Sequence, residues 1–121
     1  MLCEDFAPEF NRQYPDFPWS SAQDKIFAMF KSLFEGATKV APPAGIGHNP
    51  QSRATYASDL MLEWQTDPTD KTGKKVMVPK ILEVNWGPDC QRACEFYPEY
   101  FDNVFSTLFL EEDEGQNVKL L

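Results

Sequence analysis

The chain has 121 residues, a mass of 13.9 kDa and a formal net charge of −8. This length provides one domain or less, and a hydrophobic content of 42% suits a packed core and argues against disorder throughout. The acidic excess argues against nucleic acid and membrane as partners. Three cysteines and an N-terminus without signal-peptide features favour the cytoplasm.

The N-terminal half predicts an arm, a helix and a loop. Residues 1–19 are rich in aromatic residues and prolines, which favours a connecting arm whose rings dock on a core. Ser21 and Asp24 approximate a capping box, and residues 41–50 combine prolines and glycines in a pattern typical of a loop. Between them, a helix is predicted over 21–39 because apolar residues recur at i, i+3, i+4 and i+7, namely Ile26, Phe27, Met29, Phe30, Leu33, Phe34 and Ala37.

The C-terminal half predicts two antiparallel strands, over 53–65 and 75–86, joined by a polar tract with Asp-Pro and Thr-Gly turn chemistry. Pro79 cannot donate a ladder hydrogen bond, which indicates a bulge or a later start near Lys80. A short helical turn is predicted at 90–95 and a final helix at 98–110. The expected class is therefore α/β in the α+β sense, with antiparallel strands packed by flanking helices.

Polar side chains alternate with apolar ones along both predicted strands. Glu83 and Asn85 share one face of the second strand, and Asp59 and Glu63 share one face of the first. Carboxylate and amide oxygens are the hard ligands that Mg²⁺ prefers. Any exposed strand can carry these residue types, so spacing alone leaves a metal site and a solvated surface both open. The other two faces are apolar and are predicted to be core: Leu60, Leu62 and Trp64 on the first strand, and Leu82, Val84 and Trp86 on the second.

These residues also carry a resemblance to a known family. Asp59-Leu60-Met61-Leu62, followed by Ile81-Leu82-Glu83-Val84-Asn85, resembles the closing signature of the tubulin–tyrosine ligase family. A longer similarity to one branch runs from Arg12-Gln13-Tyr14-Pro15 to Phe105-Ser106-Thr107-Leu108-Phe109-Leu110 and covers nearly the whole chain. The resemblance implies that residues 1–110 are the C-terminal segment of an ATP-grasp domain in a longer protein. Residues 111–121 are then expected to be an acidic, frayed tail.

The resemblance also implies a site and a set of partners. Members of the family use ATP to join an amino acid to a tubulin carboxylate, and their metal ligands near ATP correspond to Asp59, Glu83 and Asn85 here. These three residues are therefore expected to bind Mg²⁺ and ATP, with Glu63 as a possible further ligand. Tubulin or microtubules are the implied partners, through the full-length protein, with a cytoskeletal association.

Three functions stay open at this point. Ala57 and Ser58 replace the bulky apolar residue and the glycine that usually precede the metal-binding Asp of the family. This departure favours a pseudoenzyme-like regulator that binds Mg–ATP over an active ATP-dependent tubulin ligase. The segment 1–50 contains no strands with the basic side chains that hold the phosphates, so the fragment alone is expected to be inactive. The unrelated alternative is a small acidic protein-interaction module that binds through its aromatic arm.

Overall fold

The computed structural model describes residues 2–112, 118–119 and 121. Two strands pair in a single sheet and form a hairpin, so the predicted mixed class is confirmed. The chain divides into two compact units, which we call the first unit (Met1–His48 with Asp59–Glu83) and the second unit (Asn49–Ser58 with Val84–Leu121). The elements are α1 (Cys3–Gln13), α2 (Trp19–Thr38), β1 (Tyr56–Thr66), β2 (Lys75–Trp86), α3 (Cys90–Phe96), α4 (Tyr100–Phe105) and a π-helical turn (Ser106–Leu110).

Helix α2 confirms the predicted amphipathic helix, but its start differs from the prediction. The helix begins at Trp19, after Pro18, so the capping box proposed at Ser21 is wrong. The first backbone N–H of the helix, that of Trp19, instead donates to Asn11 Oδ1 at 2.6 Å. A side chain from the preceding helix therefore satisfies a donor that a local cap usually satisfies. No helix in the described part of the chain has both the length and the apolar character needed to cross a bilayer.

Within the predicted connecting arm, residues 3–13 form a helix, α1, although Pro8 lies inside it. Proline removes one helical hydrogen bond, and packing of the helix against its neighbour offsets that cost. The rings of Phe6 and Phe10 lie 4.9 and 5.3 Å from the Trp19 ring, both edge-on. The docking predicted for the rings of the arm is confirmed by Tyr14 and Phe17, which pack on Trp64 of β1.

The core of the first unit lies between the helices and the hairpin. Its buried apolar side chains are Phe10 on α1, Ala22 and Ile26 on α2, and Met77 on β2. The ammonium of Lys25 donates to the carbonyl of Met77 at 3.0 Å, which fastens α2 to β2. Alternation along β2 also buries Pro79, two residues after Met77.

The hairpin contains one more residue on β2 than on β1. The N–H of Asp67 donates to the carbonyl of Lys74 at 2.8 Å near the tip, and the N–H of Gly87 donates to the carbonyl of Thr55 at 3.4 Å beyond the other end. The stretch from Lys74 to Gly87 is one residue longer than the stretch from Thr55 to Asp67. A one-residue difference of this kind is typical of a β-bulge between the two bonds. The alternative prediction of a later start near Lys80 is wrong, because β2 begins at Lys75.

The second unit is built from short helices. The carboxylate of Asp89 accepts a hydrogen bond from the backbone N–H of Arg92 at 3.0 Å and caps α3, near the predicted helical turn. The single helix predicted over 98–110 is instead α4 followed by the π-helical turn. Glu111 ends that turn in the left-handed region, at φ 58°. The expected frayed tail falls largely on residues 113–117 and 120, which lie outside the described residues.

Candidate metal centre on the hairpin

The three predicted ligands lie at the end of the hairpin away from its tip. Asp59 lies in the first half of β1, and Glu83 and Asn85 lie close to the end of β2. All three side chains are exposed. Asp59 and Glu83 belong to the first unit and Asn85 to the second. The grouping of all three around one ion therefore stays a prediction.

Glu63, the possible further ligand, already contacts a cation. Its carboxylate lies 3.6 Å from the ammonium of Lys80 and accepts a hydrogen bond from Gln65 Nε2 at 2.8 Å. Both charged side chains are about half exposed, and such a pair contributes roughly 0–1 kcal/mol. A divalent cation that displaced Lys80 from Glu63 would therefore lose little interaction free energy. The sequence did not identify Lys80 as the partner of Glu63. The two residues lie on different strands, and their contact can be predicted only when the register of the strands is known.

The ion pair also assigns faces of the sheet. Glu63 and Lys80 lie on the same face, and Asp59 shares it because it lies four positions before Glu63 on β1. Regular alternation from Lys80 would place Glu83 on the opposite face. The additional residue in β2 reverses the alternation, so Glu83 joins Asp59 if the bulge lies between Lys80 and Glu83. The position of the bulge therefore decides whether the two carboxylates can share an ion.

The apolar faces predicted to be core are only partly covered. Leu82 is 60% exposed and Trp86 is 76% exposed, and Val84 is exposed too, so the predicted burial of this face is wrong. The face was assigned by regular alternation, whereas β2 is buried at Met77 and Pro79, near the contact with Lys25. On β1 the predicted burial is partly wrong. Leu60 and Leu62 are half-buried, but Trp64 is 46% exposed although its ring lies 5.7 Å from that of Tyr14 and 6.3 Å from that of Phe17.

The chemistry of the predicted set fits magnesium. Within the described residues, no group of three or more His, Cys, Asp or Glu side chains could hold a metal ion. The predicted set is different, because it contains two carboxylates and one amide. Mg²⁺ is commonly bound by one or two carboxylates together with phosphate oxygens and waters. The donor types of Asp59, Glu83 and Asn85 match that requirement.

Comparison with known sequences defines the class of protein. The sequence model described as the tubulin-tyrosine ligase family matches residues 1–118, and the chain belongs to that family. It is 51% identical over 119 residues to tubulin–tyrosine ligase-like protein 12 of Homo sapiens, which covers 98% of this chain. The mouse protein of the same name is 52% identical over 114 residues, covering 94% of this chain, and that of Caenorhabditis elegans is 38% identical over 118 residues, covering 98%.

The chain spans only 17–18% of the length of these relatives. No solved structure matches it. The family membership agrees with a mixed helix and sheet structure that is part of an ATP-grasp domain.

Proposed function

We propose that this chain is the C-terminal part of an ATP-grasp domain that binds Mg–ATP and regulates the modification of tubulin. The observation that carries the proposal is the family match over 1–118, together with the position of Asp59, Glu83 and Asn85 on the paired strands. In the cell this function places the protein in the cytoplasm, with tubulin or microtubules as partners of the whole polypeptide.

The proposed roles follow from the charges of the side chains. Asp59 and Glu83 supply two negative charges and Asn85 supplies a neutral carbonyl oxygen, which suits a divalent ion that also carries nucleotide phosphates. When bound, Mg²⁺ neutralises charge on the β- and γ-phosphates during transfer. Glu63, held by Lys80 on the face of Asp59, would limit repulsion between neighbouring carboxylates by keeping its charge paired.

A regulator is favoured over a ligase by the residues that precede Asp59. Ala57 and Ser58 are half-buried in β1, where the resemblance leads one to expect a bulky apolar residue and a glycine. Nucleotide binding needs the oxygen ligands, whereas ligation also needs an acceptor carboxylate positioned for in-line attack. We therefore propose a pseudoenzyme-like protein whose isolated C-terminal segment is inactive. An active ligase that adds an amino acid to tubulin is the alternative, and transfer of a labelled amino acid to tubulin by the complete polypeptide would establish it.

The metal site is tested by Glu83→Gln in the complete polypeptide that contains this segment. The substitution removes one charge and keeps the shape, so we expect Mg–ATP affinity by calorimetry to fall about tenfold, or roughly 1.4 kcal/mol. Asn85→Asp keeps an oxygen ligand and should have a smaller effect. Glu9→Gln is the matched control, because it removes the same charge from an exposed carboxylate of α1 that is paired with Arg12, and its effect should stay below about twofold.

Circular dichroism must show that each variant is folded. Unchanged affinity in a folded Glu83→Gln protein would show that the carboxylate is not a ligand and would overturn the proposal.

The 121-residue chain offers a second readout that needs no nucleotide. Mn²⁺ accepts the same oxygen ligands as Mg²⁺ and broadens NMR signals near its site. We expect the amide signals of Asp59, Glu83 and Asn85 to broaden first. The carboxylates of Asp67 and Asp70 in the hairpin tip are the internal control, because each is already hydrogen-bonded to a threonine. Equal broadening at the tip would indicate non-specific binding by exposed acids.

A further inference from the structure

The second unit presents a row of exposed aromatic rings, which we call the aromatic stripe: Phe101, Phe105 and Phe109. Residues four apart lie on one side of a helix, and these rings are 46%, 56% and 59% exposed. Their centroids follow one another at 6.4 and 5.5 Å, and the Phe105 and Phe109 rings are stacked, with 29° between their planes. A contiguous exposed apolar patch often marks an interaction surface, whereas single exposed apolar side chains are ordinary.

The segment that carries the stripe is acidic, and the one cation described against it is the Arg53 guanidinium at the carbonyl of Leu108. Residues 95–112 contain no Lys, Arg or His. The carboxylates in this segment are all exposed, and so are available to a partner. They are Glu95, Glu99, Asp102, Glu111 and Glu112.

The backbone beneath the stripe is fixed by hydrogen bonds. The hydroxyl of Ser106 donates to the carbonyl of Asp102, where α4 passes into the π-helical turn. The guanidinium of Arg53 donates from Nε to the carbonyl of Leu108 at 2.9 Å and from Nη1 to the carbonyl of Pro50 at 2.8 Å. These hydrogen bonds restrict the backbone that bears the rings, and this restriction reduces the conformational entropy lost when a partner binds.

We infer that the aromatic stripe and its flanking carboxylates form a docking surface for a basic amphipathic helix of another protein. The apolar face of such a helix would cover the three rings, and Lys or Arg side chains beside that face would meet the carboxylates. A second copy of this chain is a poor occupant, because a symmetric pair would bring the same acidic segment against itself. The acidic border likewise disfavours an anionic membrane.

Three synthetic helical peptides test the chemistry of the partner with the 121-residue protein. The first has a Leu stripe flanked by Lys and Arg, the second has the same stripe flanked by Glu, and the third keeps the basic residues but replaces the stripe with Gln. We expect the first to bind at least about tenfold more tightly than either of the others, with an affinity that weakens as salt is raised. Equal binding of the first and third peptides would show simple charge attraction and would overturn the inference.

Variants of the protein locate the surface. Phe105→Ser should weaken binding of the basic Leu peptide at least about fivefold, whereas Val40→Ser, which alters a side chain of the first unit that is 52% exposed, should leave it unchanged. Asp102→Asn together with Glu112→Gln keeps every ring and should weaken the same peptide while reducing its salt dependence.

That double variant keeps the inference testable if Phe105→Ser does not fold. Undiminished binding in either folded variant would overturn the inference, as would sedimentation evidence that the protein self-associates through this stripe.

Discussion

The two units differ in where their apolar side chains go. The first unit buries Phe10, Ala22, Ile26 and Met77, and two helices and the hairpin supply these residues. In the described part of the second unit, no side chain is buried, and its rings pack on one another at the surface. Both units have many aromatic residues, so composition does not explain the difference. Helix α2 accounts for part of it, because Ala22 and Ile26 are buried on its apolar side and Lys25 bonds the helix to the carbonyl of Met77 on β2.

The contrast shows what each unit is suited to do. A unit with its own core can hold ligands such as Asp59 and Glu83 in fixed positions, because its free energy of folding comes from its own contacts. A unit that leaves Phe101, Phe105 and Phe109 exposed has hydrophobic free energy still available for association. The proposed metal carboxylates therefore lie in the first unit and the proposed docking surface lies in the second.

The strongest test of this contrast compares equivalent truncations in the two units. Ile26→Ala removes buried methyl groups and leaves a cavity, so we expect the free energy of unfolding to fall by about 2–4 kcal/mol. Phe105→Ala removes a larger side chain that is more than half exposed, and the loss should stay below about 1 kcal/mol. Chemical denaturation followed by circular dichroism measures both. Equal losses would show that the second unit contributes a core after all.

A smaller effect is expected at the end of the π-helical turn. Glu111 adopts φ 58°, a left-handed conformation that glycine adopts without a steric penalty. Relief of the left-handed strain is worth about 1–2 kcal/mol, and the greater unfolded-state entropy of glycine costs about 0.4–1 kcal/mol. Glu111→Gly should therefore raise the free energy of unfolding of the second unit by about 0.5–1 kcal/mol. Glu112→Gly is the control, because Glu112 is not among the residues with positive φ, and it should give no gain. A loss of stability in Glu111→Gly would mean that the glutamate side chain contributes more than the strain costs.

The smallest effect is expected in the hairpin tip of the first unit. Hydrogen bonds from the side chain and backbone of Thr69 lower the pKa of Asp67, and those of Thr72 lower the pKa of Asp70, both from an ordinary value of 3.8. A lowered pKa in the folded state stabilises the tip fully above pH 3.8, and the contribution disappears as the pH falls through the lowered values.

NMR titration of the tip measures this directly. Thr69→Val removes the hydroxyl donor and should return the pKa of Asp67 towards its ordinary value while that of Asp70 stays low. Because both carboxylates are in the exposed tip, global stability should change little over this pH range. A large loss of global stability near pH 3 in the wild-type chain, but not in the Thr69→Val variant, would contradict that expectation.

Local sequence patterns predicted most elements of this protein. The apolar spacing around Ile26 predicted α2, because a helix that packs on a sheet needs one continuous apolar side. The hairpin followed from two alternating runs around a polar tract, and the resemblance in those runs predicted the family that the comparison established. Each of these features is encoded within a few neighbouring residues.

Tertiary structure decided what those local patterns could not. Helix α1 forms in spite of Pro8 because its rings pack on Trp19, which lies in another helix. Met77 is buried and Leu82 is exposed because α2 contacts β2 at Met77, through Lys25.

The register of the hairpin was decided in the same way. The sequence alone determines that the candidate ligands Asp59 and Glu83 are carboxylates. Whether they face one another depends on a single additional residue in β2, because each one-residue shift turns a strand side chain to the opposite face.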